Sequence, residues 1–153
     1  IIVGTRMDKY IETESFINKI PVYETDMEEY VTYNPNKLLM TAPPEIATKH
    51  EQILAQKYKN QLSISRSADY FIEIMPKGID KAASIEVLIN KLKIRKENTI
   101  ACGDGYNDIS MVKYAGIGVA MENAVDEVKQ VADYVTDSNN EDGIAKVVEK
   151  FVF

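Results

Sequence analysis

The sequence predicts an α/β protein with a parallel sheet in its second half and a smaller α+β unit in its first half. Two observations carry this prediction. After Gly78, helical and strand patterns alternate strictly, and before Met75 the order is strand, helix, strand, strand. Strands that alternate with helices at this spacing form parallel sheets with covering helices. A chain of 153 residues has room for one ordinary domain or for one and a half small ones.

The first half contains six segments with a helical or strand pattern, followed from 76 onward by the alternating half. They are a marginal helix over 8–19, a helix or strand over 27–33, a buried strand over 37–41, a helix over 44–59, and strands over 62–65 and 70–75 that a turn at 66–69 joins. Pro43 and Pro44 open the helix over 44–59, where a missing N–H has little effect. Its apolar residues recur at helical spacing and are expected to share one buried face, namely Ile46, Ala47, Ile53 and Leu54.

The second half is predicted to run helix 79–92, strand 99–102, helix 108–114, strand 116–120, helix 125–131, short strand 134–136 and helix 141–151. The inward residues of its first helix are Ala82, Ile85, Ile89 and Leu92, and those of its last are Ile144, Val147, Val148 and Phe151. About three strands are few for a parallel sheet. We therefore expect the chain to be part of a longer protein.

Composition and charge exclude several classes of function. The chain is 45% hydrophobic and 27% charged, as globular proteins are. Its net charge of −6 argues against electrostatic binding to nucleic acid or to an anionic membrane. No apolar run approaches the ~18 residues of a membrane span. The single cysteine, Cys102, is expected to be a small buried hydrophobe, and a lone cysteine favours a reducing cytoplasm.

An acidic turn, Gly103-Asp104-Gly105-Tyr106-Asn107-Asp108, lies between a predicted strand and a predicted helix. Such turns sit at the carboxyl edge of a parallel sheet, where open α/β folds bind ligands. Asp104 and Asp108 carry the hard oxygen ligands that Mg²⁺ prefers. Lys81 and the loop 121–124 are expected at the same edge, and a lysine there is a point charge suited to a phosphoryl group.

Several residues admit a structural interpretation beside a functional one. Asp80 is expected to cap a helix rather than to act in catalysis, Lys77 to be solvated and His50 to pack. Tyr106 fits the mouth of a pocket or surface packing equally well. Arg66, in the predicted turn, is either a solvated loop charge or a contact to substrate. Asn123 is expected to shape its loop rather than to bind a ligand, and Asp108 taken alone could be only a helix cap.

The acidic turn resembles the fourth motif of the haloacid dehalogenase (HAD) superfamily of phosphohydrolases. The segment 73–81, Glu-Ile-Met-Pro-Lys-Gly-Ile-Asp-Lys, resembles the return from cap to core in its Cof-type branch (subfamily IIB), with Lys81 in the place of the motif-three lysine. Residues 118–124, 132–136 and 140–145 are similar to the same branch. The resemblance implies an α+β cap over 1–75 that selects substrate, and the C-terminal half of a Rossmann-like core over 76–153.

This resemblance implies a Mg²⁺-dependent phosphomonoester hydrolase of small phosphorylated metabolites. In that family an aspartate attacks phosphorus and water then hydrolyses the aspartyl-phosphate. Asp104 would bind the metal, and Asp108 would hold a metal-bound water or orient Lys81. Lys81 would neutralise the nucleophile and the phosphoryl oxygens, and Asn107 would hydrogen-bond near the phosphoryl group.

The sequence departs from the family in one respect: it contains no Asp-x-Asp pair to supply the nucleophile. The nearest candidate, Thr25-Asp26-Met27-Glu28, follows no apolar strand. The Ser/Thr motif that holds the phosphoryl group is also missing. We therefore expect the C-terminal part of a longer enzyme, inactive by itself. We also expect the missing segment or another copy of the chain to cover an open edge of the sheet.

Two other functions remain open on the sequence alone. A degenerate, non-catalytic module that binds phosphate or a partner protein is permitted by the missing nucleophile, although the retained Lys81, Asp104, Asn107 and Asp108 weigh against it. A piece of a P-type cation pump would share the acidic turn. The cap-like segment that leads directly into Lys81 does not fit a pump.

Overall fold

A computed structural model describes residues 2–4 and 6–153 of the chain. Its strands and helices are β1 (Ile2–Gly4), α1 (Lys9–Asn18), β2 (Val22–Glu24), α2 (Met27–Tyr30), β3 (Leu38–Thr41), α3 (Pro44–Lys57), β4 (Leu62–Ala68), β5 (Phe71–Pro76), α4 (Lys81–Leu92), β6 (Ile100–Gly103), α5 (Ile109–Tyr114), β7 (Ile117–Ala120), α6 (Asp126–Lys129), β8 (Tyr134–Val135) and α7 (Gly143–Phe151). Two 3-10 turns, Lys96–Asn98 and Tyr106–Asp108, precede β6 and α5.

These strands form three small sheets. β1 and β2 pair in parallel, β3, β5 and β4 form an antiparallel sheet in that order, and β6, β7 and β8 form a parallel sheet in that order. The antiparallel sheet lies wholly in the first half of the chain and the three-stranded parallel sheet in the second. The predicted α/β class is confirmed. The boundary predicted between 75 and 76 falls at the end of β5 and stays a prediction.

The antiparallel sheet packs one face against α3. Ala42, Ala47 and Ile72 form the buried centre of this contact, with Met40, Ile64 and Ile74 around it. A helix that meets a single sheet buries only a narrow stripe, here the one through Ala47, so Ile46 and Ile53 remain 47% and 50% exposed. The expectation that both share the buried face is wrong. The expected full burial of 37–41 is wrong as well, because β3 is an edge strand whose leucines remain partly exposed.

The strand β4 extends beyond the turn that the sequence predicts over 66–69. It continues to Ala68, with an irregularity in its pairing to β5 between Arg66 and Ala68. Arg66 pairs with Ile72 inside the sheet. Arg66 therefore belongs to a strand, and its placement in a loop is wrong.

The second half has its core between the parallel sheet and the helices α5 and α6. Val112, Ala120, Met121, Ala124 and Val128 form this cluster. The helix α4 buries Ile89 but leaves Leu92 exposed, and α7 buries Val147 but leaves Ile144 exposed. The inward faces predicted for these two helices are thus correct only in part. None of the described helices is both long and apolar enough to cross a membrane.

The strand β6 lies at one edge of the parallel sheet. It pairs with β7 along Ile100–Gly103, and β7 pairs with β8. Within residues 2–4 and 6–153, no strand pairs with the other side of β6. The edge predicted to be open is therefore unpaired in the described part of the chain.

Candidate active site

The parallel register brings the ends of β6 and β7 to the same level. Gly103 pairs with Ala120, and each is the last residue of its strand. Hydrogen bonds continue past the sheet, since the Met121 N–H donates to the Gly103 carbonyl at 3.0 Å and the Val125 N–H donates to the Asp104 carbonyl at 3.0 Å. The acidic turn and the loop 121–124 are therefore neighbours, as the topology of a parallel sheet requires.

Asp108 is the buried centre of the acidic turn, with only 5% of its surface exposed. Its Oδ2 accepts hydrogen bonds from the backbone N–H groups of Asp104 (2.9 Å) and Gly105 (3.1 Å), and its Oδ1 accepts one from the Lys81 ammonium. Burial by itself raises the pKa of this carboxyl, but the Lys81 ammonium and the two N–H groups outweigh burial and hold the pKa below its ordinary value. Asp108 is therefore a carboxylate that orients Lys81.

Gly103 makes room for this carboxylate. A Cβ atom at position 103 would lie 2.5 Å from the Asp108 Cβ and 3.0 Å from its Cγ. Since real Cβ atoms do not approach so closely, any larger residue would displace Asp108 or the strand end. The glycine before the first aspartate is thus required by close approach rather than by backbone dihedral angles.

Lys81 is the first residue of α4, and its position is fixed by the helix start. Asp80 caps the helix by accepting a hydrogen bond from the Ala83 N–H at 2.8 Å, as the sequence predicts. The Ala82 N–H lies 3.4 Å from the Ser110 Oγ of α5, which ties the helix start to the helix that follows the acidic turn. About half of the Lys81 side chain remains accessible, so its ammonium can meet a ligand while paired with Asp108.

Asp104 presents an exposed carboxylate beside this pair. Its Oδ2 accepts a hydrogen bond from the Asn123 amide at 3.1 Å, and the Asn123 Oδ1 accepts one from the Asn139 N–H at 2.9 Å. Asn123 therefore joins the acidic turn to the loop after β8. Asn123 is predicted to shape its loop, but its contact with Asp104 is a feature that no motif signals.

A cleft of about 440 Å³ opens between the antiparallel sheet and α4. Lys81 and Asn107 line one wall. Ser65, Glu73 and Met75 belong to the lining contributed by the sheet. This cleft places the face of the sheet opposite α3 next to Lys81. A wider apolar depression lies beside residues 15–21, away from the carboxylates.

Two carboxylates at this edge, those of Asp104 and Asp108, have the chemistry of magnesium ligands. Mg²⁺ is bound in proteins through one or two carboxylates and keeps several waters. The exposed Asp104 fits a direct ligand, and Asp108, whose oxygens already accept hydrogen bonds, fits contact through water. Within the described ranges, no three His, Cys, Asp or Glu side chains are grouped as metal ligands. The chain thus offers two carboxylates of such a site.

Other residues that the sequence singles out lie outside the acidic turn and have structural roles. Lys77 is exposed and donates to the Lys59 carbonyl, and His50 lies partly buried on α3. Burial raises the pKa of the half-buried Cys102 thiol, which disfavours the nucleophilic thiolate.

Arg66 is 15% exposed and hydrogen-bonds Glu51, so it is not a solvated loop charge. Its guanidinium also contacts Tyr106 of the acidic turn.

Comparison with known proteins identifies the family. The model of the haloacid dehalogenase-like hydrolase family matches residues 2–148. The chain belongs to this family. A solved haloacid dehalogenase-like hydrolase from Bacteroides thetaiotaomicron is 40% identical to this HAD-like chain, with a TM-score of 0.79 over 99% of this chain and 57% of that one.

Two further relatives define the branch of the HAD family. The HAD subclass IIB sugar phosphatase BT4131 is 29% identical, with a TM-score of 0.79 over 95% of this chain and 55% of its own. The 5-amino-6-(5-phospho-D-ribitylamino)uracil phosphatase YcsE of Bacillus subtilis is 41% identical over 133 residues, which are 76% of this chain and 53% of that protein. The predicted resemblance to subfamily IIB is confirmed. The chain spans about half the length of these relatives.

Proposed function

We propose that this chain supplies the metal-binding and lysine half of the active site of a Mg²⁺-dependent phosphomonoester hydrolase. One observation carries the proposal: Lys81, which lines the cleft, pairs with Asp108 beside the exposed Asp104, in the turn between β6 and α5. A fixed ammonium next to carboxylates is suited to a phosphoryl group, because charge that develops in the transition state meets preorganised partners. Membership of the HAD-like hydrolase family supports it.

Each residue has a role in this proposal. Asp104 would bind the Mg²⁺ ion directly and Asp108 through water, and the ion when bound would supply Lewis-acid stabilisation of negative charge. Lys81, oriented by Asp108, would neutralise the phosphoryl oxygens and the nucleophile. Asn107, which lines the cleft beside Lys81, would hydrogen-bond the phosphoryl group. The nucleophilic aspartate would come from a polypeptide segment outside these 153 residues, because the chain contains no Asp-x-Asp pair.

The proposed substrates are small phosphorylated metabolites. YcsE acts on a phosphorylated ribitylaminouracil and BT4131 is a sugar phosphatase, so both relatives hydrolyse small organic phosphates. The cleft of about 440 Å³ in this chain has space for a molecule of that size. We propose no nucleic acid and no membrane as partner, in keeping with the net charge of −6.

We further propose that the free side of β6 pairs with a strand that carries the nucleophile. An open strand edge presents unpaired N–H and C=O groups and readily adds another strand. A second copy of this chain is the other occupant to be considered.

The proposal is tested by an assay with a generic aryl phosphate and Mg²⁺. The chain alone is expected to show no turnover, because it lacks the nucleophile. A longer protein that joins this chain to the Asp-x-Asp half of the core is expected to hydrolyse the ester. In that protein Lys81→Ala should reduce the rate by at least about 100-fold.

Lys91→Ala is the matched control, since Lys91 lies in the last turn of the same helix, away from the acidic turn. Near-normal turnover in the Lys81→Ala protein would remove Lys81 from the site. Turnover by the chain alone that Asp104→Ala abolishes would overturn the need for an external nucleophile. An inactive longer protein that still binds inorganic phosphate through Lys81 would instead support the non-catalytic module.

A further inference from the structure

The side chain of Arg66 spans from the antiparallel sheet to the acidic turn. Arg66 lies in β4, and its Nε donates to the Glu51 carboxylate of α3 at 2.7 Å while Nη1 donates to the Thr48 hydroxyl at 3.1 Å. Both partners belong to the helix that covers the sheet, so these two bonds fix the plane of the guanidinium. With only 15% of the side chain exposed, Arg66 has little freedom to reorient.

The free face of this guanidinium meets Tyr106. The Arg66 Cζ lies 4.4 Å from the centre of the Tyr106 ring, within the range of a cation–π contact. Tyr106 lies in the middle of the acidic turn, two positions before Asp108 and two after Asp104. The contact therefore joins the cap-like first half of the chain to the turn that holds the carboxylates.

The backbones approach each other at the same place. A Cβ atom at Gly105 would lie 3.5 Å from the Ser67 carbonyl oxygen, so β4 passes directly beside the turn. The pairing irregularity between Arg66 and Ala68 occurs at this point of β4. Arg66 thus contacts Tyr106, and the neighbouring Ser67 lies beside Gly105.

We propose that Arg66 is a positioning residue that holds the antiparallel sheet against the acidic turn through Tyr106. The importance of this for catalysis rests on the proposed function, because only then is the turn part of an active site. The contact sets how the sheet face that carries Ser65 and Glu73 stands over Lys81, and hence the width of the cleft. Lysine cannot replace Arg66, since it lacks the planar group that binds Glu51 and Thr48 while stacking on a ring.

The test measures the distance between the two halves of the chain and needs no enzymatic activity. Spin labels are placed on cysteines introduced at Gln56 of α3 and Glu127 of α6, both exposed, in a Cys102→Ser background. Pulsed electron resonance then gives the distribution of distances between the labels. The labelled protein with Arg66 and Tyr106 unaltered should give one narrow distribution of label-to-label distances.

Tyr106→Leu and Arg66→Lys should each broaden that distribution, and Tyr106→Phe, which keeps the aromatic face, should leave it narrow. If Arg66 served only to stabilise its own sheet and helix, Arg66→Lys would lower thermal stability while Tyr106→Leu left the distances unchanged. That result would overturn the proposal. It would not touch the proposed function, which the phosphatase assay tests separately.

A second measurement uses the chain with Cys102 in place and no labels. Stacking on Tyr106 should shift the Arg66 side-chain proton resonances upfield, since protons above a ring are shielded. The shift should vanish in Tyr106→Leu and persist in Tyr106→Phe. Identical Arg66 resonances in all three proteins would contradict the proposal even if the labelled variants failed to fold.

Discussion

The carboxylate of Asp108 accepts hydrogen bonds from donors both near to it and far from it in the sequence. Two come from the N–H groups at the start of its own turn, and one comes from Lys81, 27 residues earlier in the chain. The first pair closes the turn and the last connects the turn to α4. One buried side chain therefore shapes the turn and places the ammonium, so its loss would disturb local structure and site geometry together.

Gly103→Ala should destabilise the protein by about 1–3 kcal/mol, the usual range for overpacking. The added methyl group would lie 2.5 Å from the Asp108 Cβ, which must move. Urea unfolding monitored by circular dichroism measures the change. Gly105→Ala is the matched control, since its nearest neighbour is the Asn107 Oδ1 at 3.2 Å, and it should have a smaller effect. Equal losses for the two variants would contradict the packing argument.

Between elements, the N-terminus of α1 is tied to β3 by Asp8. Its Oδ1 accepts from the N–H groups of Tyr10 and Ile11, which caps the helix, and its Oδ2 accepts from the Thr41 hydroxyl of β3. The Tyr10 and Tyr70 rings stack with centres 4.6 Å apart in the same region. A short polar bond and one aromatic pair thus connect α1 with the antiparallel sheet.

The stability of this connection should depend on pH. Burial raises the pKa of Asp8, but the Thr41 hydroxyl, the two helix N–H groups and the Arg6 charge outweigh burial and lower it below its ordinary value. A lowered folded pKa means that the ionised form stabilises the fold above the unfolded pKa of about 3.9. That contribution is lost as the pH falls through the lower folded pKa.

Asp8→Asn should therefore be less stable than the natural protein at pH 6, and the difference should shrink toward pH 3. Asparagine still caps a helix, so the variant isolates the charge. Urea unfolding at both pH values measures this. Asp26→Asn serves as the control, because Asp26 caps the four-residue helix α2 on the surface. A constant difference between Asp8→Asn and the natural protein across this range would show that the charge contributes nothing.

At the scale of the whole molecule, the parallel sheet has an open edge: no strand among the described residues pairs with the outer side of β6. The helix α4 also carries exposed apolar side chains, since Val87, Leu88 and Leu92 are each more than half exposed. Exposed apolar patches of this kind mark surfaces that associate.

The isolated chain should self-associate as its concentration rises, and Leu88→Glu combined with Leu92→Glu should reduce this. Sedimentation velocity over a range of concentrations measures the effect. Ile53→Glu is the matched control, because it replaces an exposed apolar residue of α3 in the other half of the chain. The proposed association surface on α4 would be contradicted if the chain stayed monomeric at all concentrations. It would also be contradicted if Ile53→Glu reduced self-association equally.

The sequence was sufficient to predict the α/β class and most of the elements, because helical and strand periodicities are local, but it did not signal the short parallel pair of β1 and β2. Asp80 as a cap of α4 followed from the same local chemistry. Parallel topology was enough to predict that Lys81 and the loop 121–124 lie beside the acidic turn. Which apolar residues are buried was less predictable. Ile46, Ile53 and Leu92 keep helical spacing but face solvent, since burial depends on which neighbours each element meets.

The contacts between distant segments could not be predicted at all. The sequence predicts a turn at Arg66 because the Ser and Asp nearby are typical of turns, yet β4 continues through it. Only the folded chain brings it to Tyr106, 40 positions later. Likewise nothing local to Asn123 signals its bonds to Asp104 and Asn139.

The backbone hydrogen bonds beyond the strand ends have a consequence for ligand binding. The N–H groups of Met121, Val125 and Thr136 donate to carbonyls of neighbouring segments and thereby extend the ladder into the loops. These amides should exchange with deuterium slowly, as strand amides do, although they lie outside the sheet. A loop already ordered in this way loses little conformational entropy when an ion or a phosphate arrives. If Asp104 binds the proposed ion, more of the binding energy is then left to hold it.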